Sequence, residues 1–441
     1  MQRFRVALTQ YERPLESVRK TVDLSQGLDH LPPSAKVFIK PNIVFWTRKA
    51  QFPKWGVVTT SRVIEDMVVL LKERGVSRIT IGEGTVVFDP KDKATAAHAF
   101  EYLGYNVLRD RYGVKNVNVF ERPFQKLDLG DGIVLKFSTE ILESDFVVNI
   151  PVLKTHAQAV VSLGIKNIKG MLDVNSRKKC HSADAVKDLD FWIARLADKI
   201  PPSFTILDGI YTIERGPGPD GKARRSNILI GSADVLSADM VGAKVLGYEP
   251  NQVPHLVHAA KNRNRPMDLS DVEALGAKIE DLASLHAYTF PYNESATLPV
   301  PMEKMGIKGL SYPKYDNSLC TYCSGLTGAI LTSIAFAWKG EPWSDVEILT
   351  GKRMKPTPGK RSVLVGKCLY QVHKKHPDIA EMKVIKTCPP APEAIITALH
   401  DLGVDISPQI LLNLETAPGF FMRKYEGKPE FDESFFRIEA H

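Results

Sequence analysis

The chain has 441 residues, more than one hydrophobic core usually serves, so we expect two or three domains. Its 44% apolar and 25% charged residues are typical of a soluble globular protein. The net charge of +7 is spread along the chain without a dense basic stripe, which argues against a nucleic-acid partner, and no stretch approaches the length of a membrane span.

The N-terminal segment and the cysteine count indicate the compartment. Residues 1–18 are polar and charged and lack the apolar centre of a signal peptide. The chain has five cysteines, an odd number that does not suit a disulfide framework. We therefore expect a cytoplasmic protein.

In the first two-thirds of the chain, short apolar strands alternate with helices. One helix is predicted over Ser61–Arg74, with a stop at Gly75, and another over Ala94–Leu103, closed by Gly104. The predicted strands cover residues 36–39, 78–81, 146–150, 205–209 and 227–230. This alternation predicts an α/β fold, a mostly parallel sheet with flanking helices, whose strand-end residues meet along one carboxyl edge.

The domain boundary is predicted from a change in composition. Residues 250–316 are richer in proline and polar residues and less periodic, so we interpret them as a helical excursion plus a linker. Two more strand–loop–helix units follow. The prediction is an α/β domain over residues 1–310 and a smaller C-terminal α/β domain over residues 311–441.

Four of the five cysteines lie in the last third of the chain. Cys320 and Cys323 are three positions apart, whereas Cys368 and Cys388 each follow a β-branched apolar run, which predicts that both emerge at strand ends. Three interpretations compete: buried core thiols, a structural zinc site and an iron–sulfur cluster. Zinc ribbons usually show two close pairs, and a cluster accommodates ligands from separate loops. We therefore predict that these four cysteines bind one 4Fe-4S cluster, with Cys180 a plain thiol.

A short resemblance supports the cluster. Cys388-Pro389-Pro390, at the start of residues 388–394, is similar to the last cluster-ligand loop of nickel–iron hydrogenase small subunits and of the related quinone-reductase subunit of respiratory complex I. The resemblance implies a ligand role for Cys388 and nothing more, because the other cysteine spacings differ.

A second group of polar residues lies in the predicted α/β domain. The stretch from Lys154 to Gly170 follows a buried strand and mixes lysines, a histidine and glycines, and other strand-end loops add further cations and carboxylates. If these loops converge, they form a pocket for a small carboxylate or phosphate. The catalytic candidates are His156, Lys166 and Glu83, and the binding candidates are Lys40, Asn42, Lys154, Asn167, Lys169, His181 and Asp208.

Two plainer interpretations of these residues stay open. The lysine cluster is also typical of a solvated helix start, and the acids could pair with the lysines in a structural salt-bridge network.

The motifs of this region resemble one family. Residues 40–42, 82–85, 151–156, 164–170 and 208–209, in this order, are similar to the domain of unknown function 362 family, which is often found beside iron–sulfur modules. The resemblance implies little about activity because the family is largely uncharacterised. His156 and Lys166 also have the ten-residue separation of a histidine and a cofactor-bearing lysine in nickel-pincer lactate racemases, although Glu83 stands where those enzymes place a second catalytic histidine.

Several function classes therefore stay open. One is a cytosolic iron–sulfur oxidoreductase acting on a small anionic substrate. Another is a non-catalytic electron carrier or assembly protein, and a third is a racemase-like or isomerase-like enzyme. The partners expected are a small anionic molecule, a redox protein and further copies of this chain, with no membrane.

Overall fold

A computed structural model describes residues 3–85, 92–287 and 290–439 of the chain. Its contacts divide the chain into two compact units. Unit 1 comprises Met1–Arg177, Asp190–Tyr288 and Pro418–His441, and unit 2 comprises Lys178–Leu189 and Thr289–Ala417. The boundary predicted at residue 310 differs from this division, because unit 2 begins earlier, includes a short segment near residue 180 and ends before the C-terminal segment.

Unit 1 combines a large sheet, a separate hairpin and helices. Its strands are β1 (Phe4–Gln10), β2 (Lys36–Pro41), β3 (Arg78–Glu83), β4 (Lys115–Asn118), β5 (Phe124–Asp128), β6 (Val134–Ser138), β7 (Phe146–Ile150), β8 (Val152–His156), β9 (Val160–Ser162), β10 (Ser203–Glu214), β11 (Lys222–Ser232) and β12 (Val272–Gly276). Its helices are α1 (Glu16–Ser25), α2 (Ser61–Glu73), α3 (Ala94–Tyr102), α4 (Tyr105–Tyr112), α5 (Thr139–Leu142), α6 (Gly164–Asn167), α9 (Val235–Val245), α10 (Pro254–Asn262) and α11 (Ile279–Leu282), while α7 (Val174–Cys180) and α8 (Leu189–Ile193) contain unit boundaries.

The large sheet has the strand order β12-β1-β11-β10-β7-β2-β3-β4, and β8 pairs with β10 and with β9. Neighbouring strands from β10 to β4 run parallel, whereas β11 is antiparallel to both β1 and β10. The sheet is thus mostly parallel with flanking helices, which confirms the predicted fold class. In the parallel part Lys40 of β2 lies opposite Asn149 of β7, so the polar ends of these strands are aligned.

The helix α2 shows how local sequence produces this architecture. Its apolar residues recur at helical spacing, and Val63, Met67 and Leu71 are fully buried in the core of unit 1. Arg74 caps the last turn, and Gly75 leaves it at φ 79°, a left-handed conformation that costs glycine little. The predicted stop at Gly75 is confirmed.

Two strands were missed in residues 250–316, the segment interpreted as an excursion and linker: a two-residue strand at Leu310–Ser311 and the longer strand β12. Residues Val272–Gly276 form β12, which pairs in parallel with β1 at the edge of the sheet. Its burial pattern shows no fully buried position, so the apolar alternation that identifies a strand is weak. The interpretation of this segment as helix plus linker is therefore wrong for β12.

Unit 2 is a smaller α/β unit. Its strands are β13 (Leu310–Ser311), β14 (Val346–Thr350), β15 (Arg361–Val365) and β16 (Glu381–Ile385), all parallel and in that order. Its helices are α12 (Val300–Lys304), α13 (Thr321–Ala337), α14 (Lys367–His373), α15 (Pro392–His400) and α16 (Pro408–Leu412). In the described part of both units, no helix is long and apolar enough to cross a bilayer.

The C-terminal segment returns to unit 1 and packs around Lys54. The ammonium of Lys54 lies 3.1 Å from the Glu433 carboxylate and 4.6 Å from the centroid of the Tyr102 ring. Further along, the Tyr211 hydroxyl donates to the Glu430 carbonyl at 3.0 Å. Because Lys54 is only 2% exposed, the acid at position 433 balances a charge that water does not reach.

We predict that Glu433→Ala lowers the free energy of unfolding by about 2 kcal/mol, because a buried ammonium loses its counter-charge. Urea unfolding monitored by tryptophan fluorescence measures the change. Glu426→Ala, an exposed acid on the same segment, is the matched control and should change stability by less than about 0.5 kcal/mol. Equal effects of the two substitutions would show that the pair with Lys54 contributes nothing.

Candidate functional site

The carboxyl edge of the parallel strands in unit 1 holds a group that we name the buried lysine network: Lys40, Asn42, Glu83, Lys154 and Asn167. Lys40 Nζ lies 2.8 Å from the Glu83 carboxylate. Asn167 Oδ1 accepts a hydrogen bond of 2.8 Å from the Asn42 amide, and Lys154 Nζ donates to Asn42 Oδ1 at 2.7 Å. These five are among the ten residues that we considered for a pocket if their loops converge, and the structure brings these five together.

The network is closed to water. Lys40 is 0% exposed and Lys154 is 1% exposed, and each of the other members is less than a tenth exposed. Both ends of the Glu83 carboxylate are occupied, since it also accepts backbone N–H groups of Ile43 and Gly84, each at 2.8 Å. The direct bond between Lys40 and Glu83 corresponds to the alternative in which acids pair with lysines internally.

Burial controls the proton affinity of the two lysines. Desolvation lowers the pKa of Lys40, and the contact with Glu83 opposes that shift. Desolvation also lowers the pKa of Lys154, to about 7, with Glu83 opposing and Lys40 reinforcing the change. Lys154 donates to Asn42 Oδ1 and to the Val57 carbonyl, both at 2.7 Å, so even a neutral amine has both of its N–H groups satisfied.

The glycine at position 170 is required by the packing of the network. A Cβ atom there would lie 2.5 Å from Glu83 Oε1 and 2.8 Å from Lys40 Cε, so a side chain would displace the ion pair. Arg177 borders the same region, donating to the carbonyls of Gly84 and Gly170. The role of Arg177 was not predicted, because a basic run in the sequence does not distinguish a buried arginine from a solvated one.

The other predicted pocket residues have different surroundings. The carboxylate of Asp208 accepts the backbone N–H of Thr60 at 2.7 Å, and burial raises its pKa to about 6. His156 is half-buried and its Nδ1 accepts the N–H of Gln158 at 3.1 Å. Lys166 and Lys169 are both half-buried. His181 lies in unit 2, not in unit 1, with Nδ1 2.9 Å from the Asn317 carbonyl oxygen.

Unit 2 holds the second group, which we name the cysteine quartet: Cys320, Cys323, Cys368 and Cys388. Cys320 is the N-cap of α13 and Cys323 lies in its first turn, where its N–H donates to the Cys320 carbonyl at 3.1 Å. Val365 and Ile385 are paired at the ends of β15 and β16, and Cys368 and Cys388 each lie three residues beyond them. The parallel register therefore delivers both cysteines to one edge of the sheet.

The four thiols are within electrostatic reach of one another. A hydrogen bond from Cys323 lowers the pKa of Cys320, and the same bond, followed by burial, raises that of Cys323. The thiols of Cys368 and Cys388 add to the rise at Cys323. A Cβ atom built on Gly366 would lie 3.6 Å from Cys323 Sγ and 3.9 Å from Cys368 Sγ, so this glycine leaves space between two sulfur atoms.

A 4Fe-4S cluster and a single metal ion require different spacings of their four ligands. Among the described residues, no group of three or more histidine, cysteine or acidic side chains is arranged to hold one metal ion. A 4Fe-4S cluster takes one thiolate at each iron, so its four sulfur ligands stand further apart than those of a zinc ion. Two of the thiols are buried, Cys368 is half-buried and Cys388 is exposed, so the edge near Cys388 faces solvent.

These observations define a protein with a mostly parallel α/β unit that encloses an ion-pair network and a smaller α/β unit that gathers four cysteines. Residues 37–244 match the family described as "Domain of unknown function (DUF362)", which confirms the family resemblance of the motifs. A thylakoid-associated protein of Synechocystis sp. is 28% identical over 254 residues, which cover 56% of this chain and 74% of that protein. Both similarities concern sequence and leave the activity open.

We predict that Lys40→Met lowers the free energy of unfolding by about 3 kcal/mol or more, because the Glu83 carboxylate is left buried without its cation. Chemical denaturation at neutral pH measures this loss. Lys36→Met, at the exposed start of the same strand, removes an equal charge and should change stability by less than about 0.5 kcal/mol. A Lys40→Met variant as stable as the control would show that the ion pair is dispensable.

We predict that the free energy of unfolding depends on pH, because burial lowers the pKa of Lys154 to about 7. Between pH 7 and about 10.4 the unfolded chain keeps the proton on this lysine and the folded protein loses it, so stability rises with pH. The free energy of unfolding of the wild type, relative to Lys154→Met, should increase by up to about 1.4 kcal/mol per pH unit in this window. Urea titrations at pH 7, 8 and 9 measure it, and a constant difference would show that Lys154 stays protonated in the folded state.

Proposed function

We propose that this chain is an iron–sulfur protein that transfers electrons through one 4Fe-4S cluster bound by the cysteine quartet. The observation that carries the proposal is the convergence of four thiols in unit 2 from three separate segments. The register of β15 and β16 aligns Cys368 with Cys388, and α13 presents Cys320 and Cys323 from one turn. A bound cluster would supply reversible one-electron transfer.

The protein's own groups support this role in three ways. Cys320 and Cys323 lie at the N-terminus of α13, a helix of 17 residues whose positive dipole end favours thiolates. Gly366, at φ 104°, lies beside the sulfur atoms of Cys323 and Cys368 and adds no side chain between them. Cys388 is exposed, so electrons would have a short path to a partner on that side. A reducing compartment such as the cytoplasm would keep all five cysteines as thiols.

We favour electron transfer over catalysis on a small anion because the lysines of the buried lysine network already bond to partners within the protein. Lys40 and Glu83 bond to each other, and Lys154 bonds to Asn42 and a backbone carbonyl. A substrate would have to replace these bonds and enter a region from which water is excluded. In this proposal the network therefore has a structural role and stabilises unit 1.

We predict that anaerobically reconstituted protein contains about four irons and four sulfides per chain and gives a paramagnetic signal after one-electron reduction. Iron and sulfide assays with electron paramagnetic resonance measure both. Cys368→Ser and Cys388→Ser should each lower the iron content or convert the cluster, because each removes a ligand.

The matched control is Cys180→Ala, which removes the cysteine outside the quartet and should leave the iron and sulfide content unchanged. A colourless wild-type protein with stoichiometric zinc and no sulfide would overturn the proposal in favour of a structural zinc site. Equal iron loss in the control and in the quartet variants would overturn the assignment of the ligands.

A further inference from the structure

Three lysines lie at the same sheet edge as the cysteine quartet. The parallel register pairs Thr350 with Val365 and Val365 with Ile385, so β14, β15 and β16 end side by side. Each strand is followed within two residues by a lysine, and these are Lys352, Lys367 and Lys386. Because neighbouring parallel strands are separated by about 4.8 Å, the three lysines form a row along that edge.

A fourth lysine of unit 2 joins this row. Lys178 is close enough to Cys388 to interact with it electrostatically, and its ammonium lies 5.0 Å from the centroid of the Tyr322 ring. Lys352 Nζ in turn donates to the backbone carbonyls of Lys178, at 2.9 Å, and of His181. We name Lys178, Lys352, Lys367 and Lys386 the lysine rim.

The positive charge of the rim is not cancelled locally. None of its four members forms a salt bridge within the ranges that the structure describes. Carbonyl oxygens accept from Lys352, and the rings of Tyr322 and Tyr370 lie next to the ammonium groups of Lys178 and Lys386. Asp316, an acid of the same unit, lies 3.4 Å from Arg353 and is thereby already paired. Lys367, Lys386 and Cys388 are exposed. The solvent-accessible side of the quartet therefore carries exposed lysines.

We infer that the lysine rim is the docking surface for a small acidic redox protein, one that carries carboxylates around its own redox centre. This inference rests on the proposed function. In the reaction, the reduced partner loses one electron and the oxidised cluster gains it; no covalent bond forms or breaks. Electron transfer weakens steeply with distance, so a productive partner must approach the exposed edge beside Cys388, where the rim attracts its carboxylates.

The width of the rim favours a protein over a small anion. Its lysines come from three strand ends and from the chain near residue 178, and two of them extend into solvent. A phosphate or carboxylate would contact one or two ammonium groups, with most of the charge left unmatched. An acidic protein surface can contact both exposed lysines at once, and the long-range field of all four would then accelerate association.

The test uses the full chain loaded with its cluster and an acidic plant-type ferredoxin as the probe. Stopped-flow absorbance follows electron transfer from the reduced ferredoxin at low and high salt. We expect the double variant Lys367→Glu/Lys386→Glu to react about tenfold or more slowly at low salt and to lose most of the salt dependence. Reduction by a viologen radical cation reports whether the cluster itself is intact.

The control is Lys374→Glu/Lys375→Glu, the same charge change on two exposed lysines beyond the end of α14. It should react with ferredoxin at close to the wild-type rate. If the wild type takes up cluster and both double variants react alike with ferredoxin, the docking surface is refuted and the proposed function stands. If the wild type takes up no cluster, the proposed function fails, and the docking inference fails with it.

Discussion

The ion pair between Lys40 and Glu83 is the constraint around which unit 1 is organised. It joins the ends of two neighbouring strands where no water can solvate either charge. Oε2 of Glu83, which pairs with Lys40, also accepts the backbone N–H of Ile43 in the loop after β2. Oε1 accepts the backbone N–H of Gly84 in the loop after β3. One carboxylate thus fixes the path of two loops, and its burial makes each of these contacts obligatory.

In unit 2 the positions of the cysteines depend instead on the register in which the parallel strands β15 and β16 pair. Paired strands of equal length end at the same height, so residues at equal distances beyond them arrive together. Cys368 and Cys388 satisfy this condition beyond β15 and β16, and Lys352 and Lys367 satisfy it beyond β14 and β15. The parallel strands therefore bring together both the cysteines and the positively charged lysines that follow them. A slip of the register by one residue would shift Cys388 along the strand direction relative to Cys368 by about 3.3 Å.

The sequence predicts the fold class because the apolar periodicity is strong in the core. The stop at Gly75 and the strand predicted over residues 78–81 follow from local patterns, and the convergence of Lys40, Asn42 and Lys154 follows from parallel topology. Local patterns do not reveal long-range pairing. The strand β12 has no fully buried residue and only weak apolar alternation, and the return of the C-terminal segment to Lys54 depends on a contact across 379 positions.

The same limit applies to side-chain environment. Sequence cannot tell a lysine that pairs with an acid from one that binds a ligand, because both require a cation next to a buried strand. The distinction needs the distance between Lys40 and Glu83 and the exposure of each. For Arg177, only the close approach of Gly84 and Gly170 reveals that the guanidinium binds backbone carbonyls.

The division of the chain has a consequence for proteolysis. Unit 2 is made of two segments separated by Asp190–Tyr288, and Pro418–His441 follows it as part of unit 1. A single backbone cut between residues 189 and 190, or between 288 and 289, would leave portions of both units on each fragment. No single cleavage can release unit 2 as a free fragment, and Lys178 would be missing from any piece that begins at residue 289.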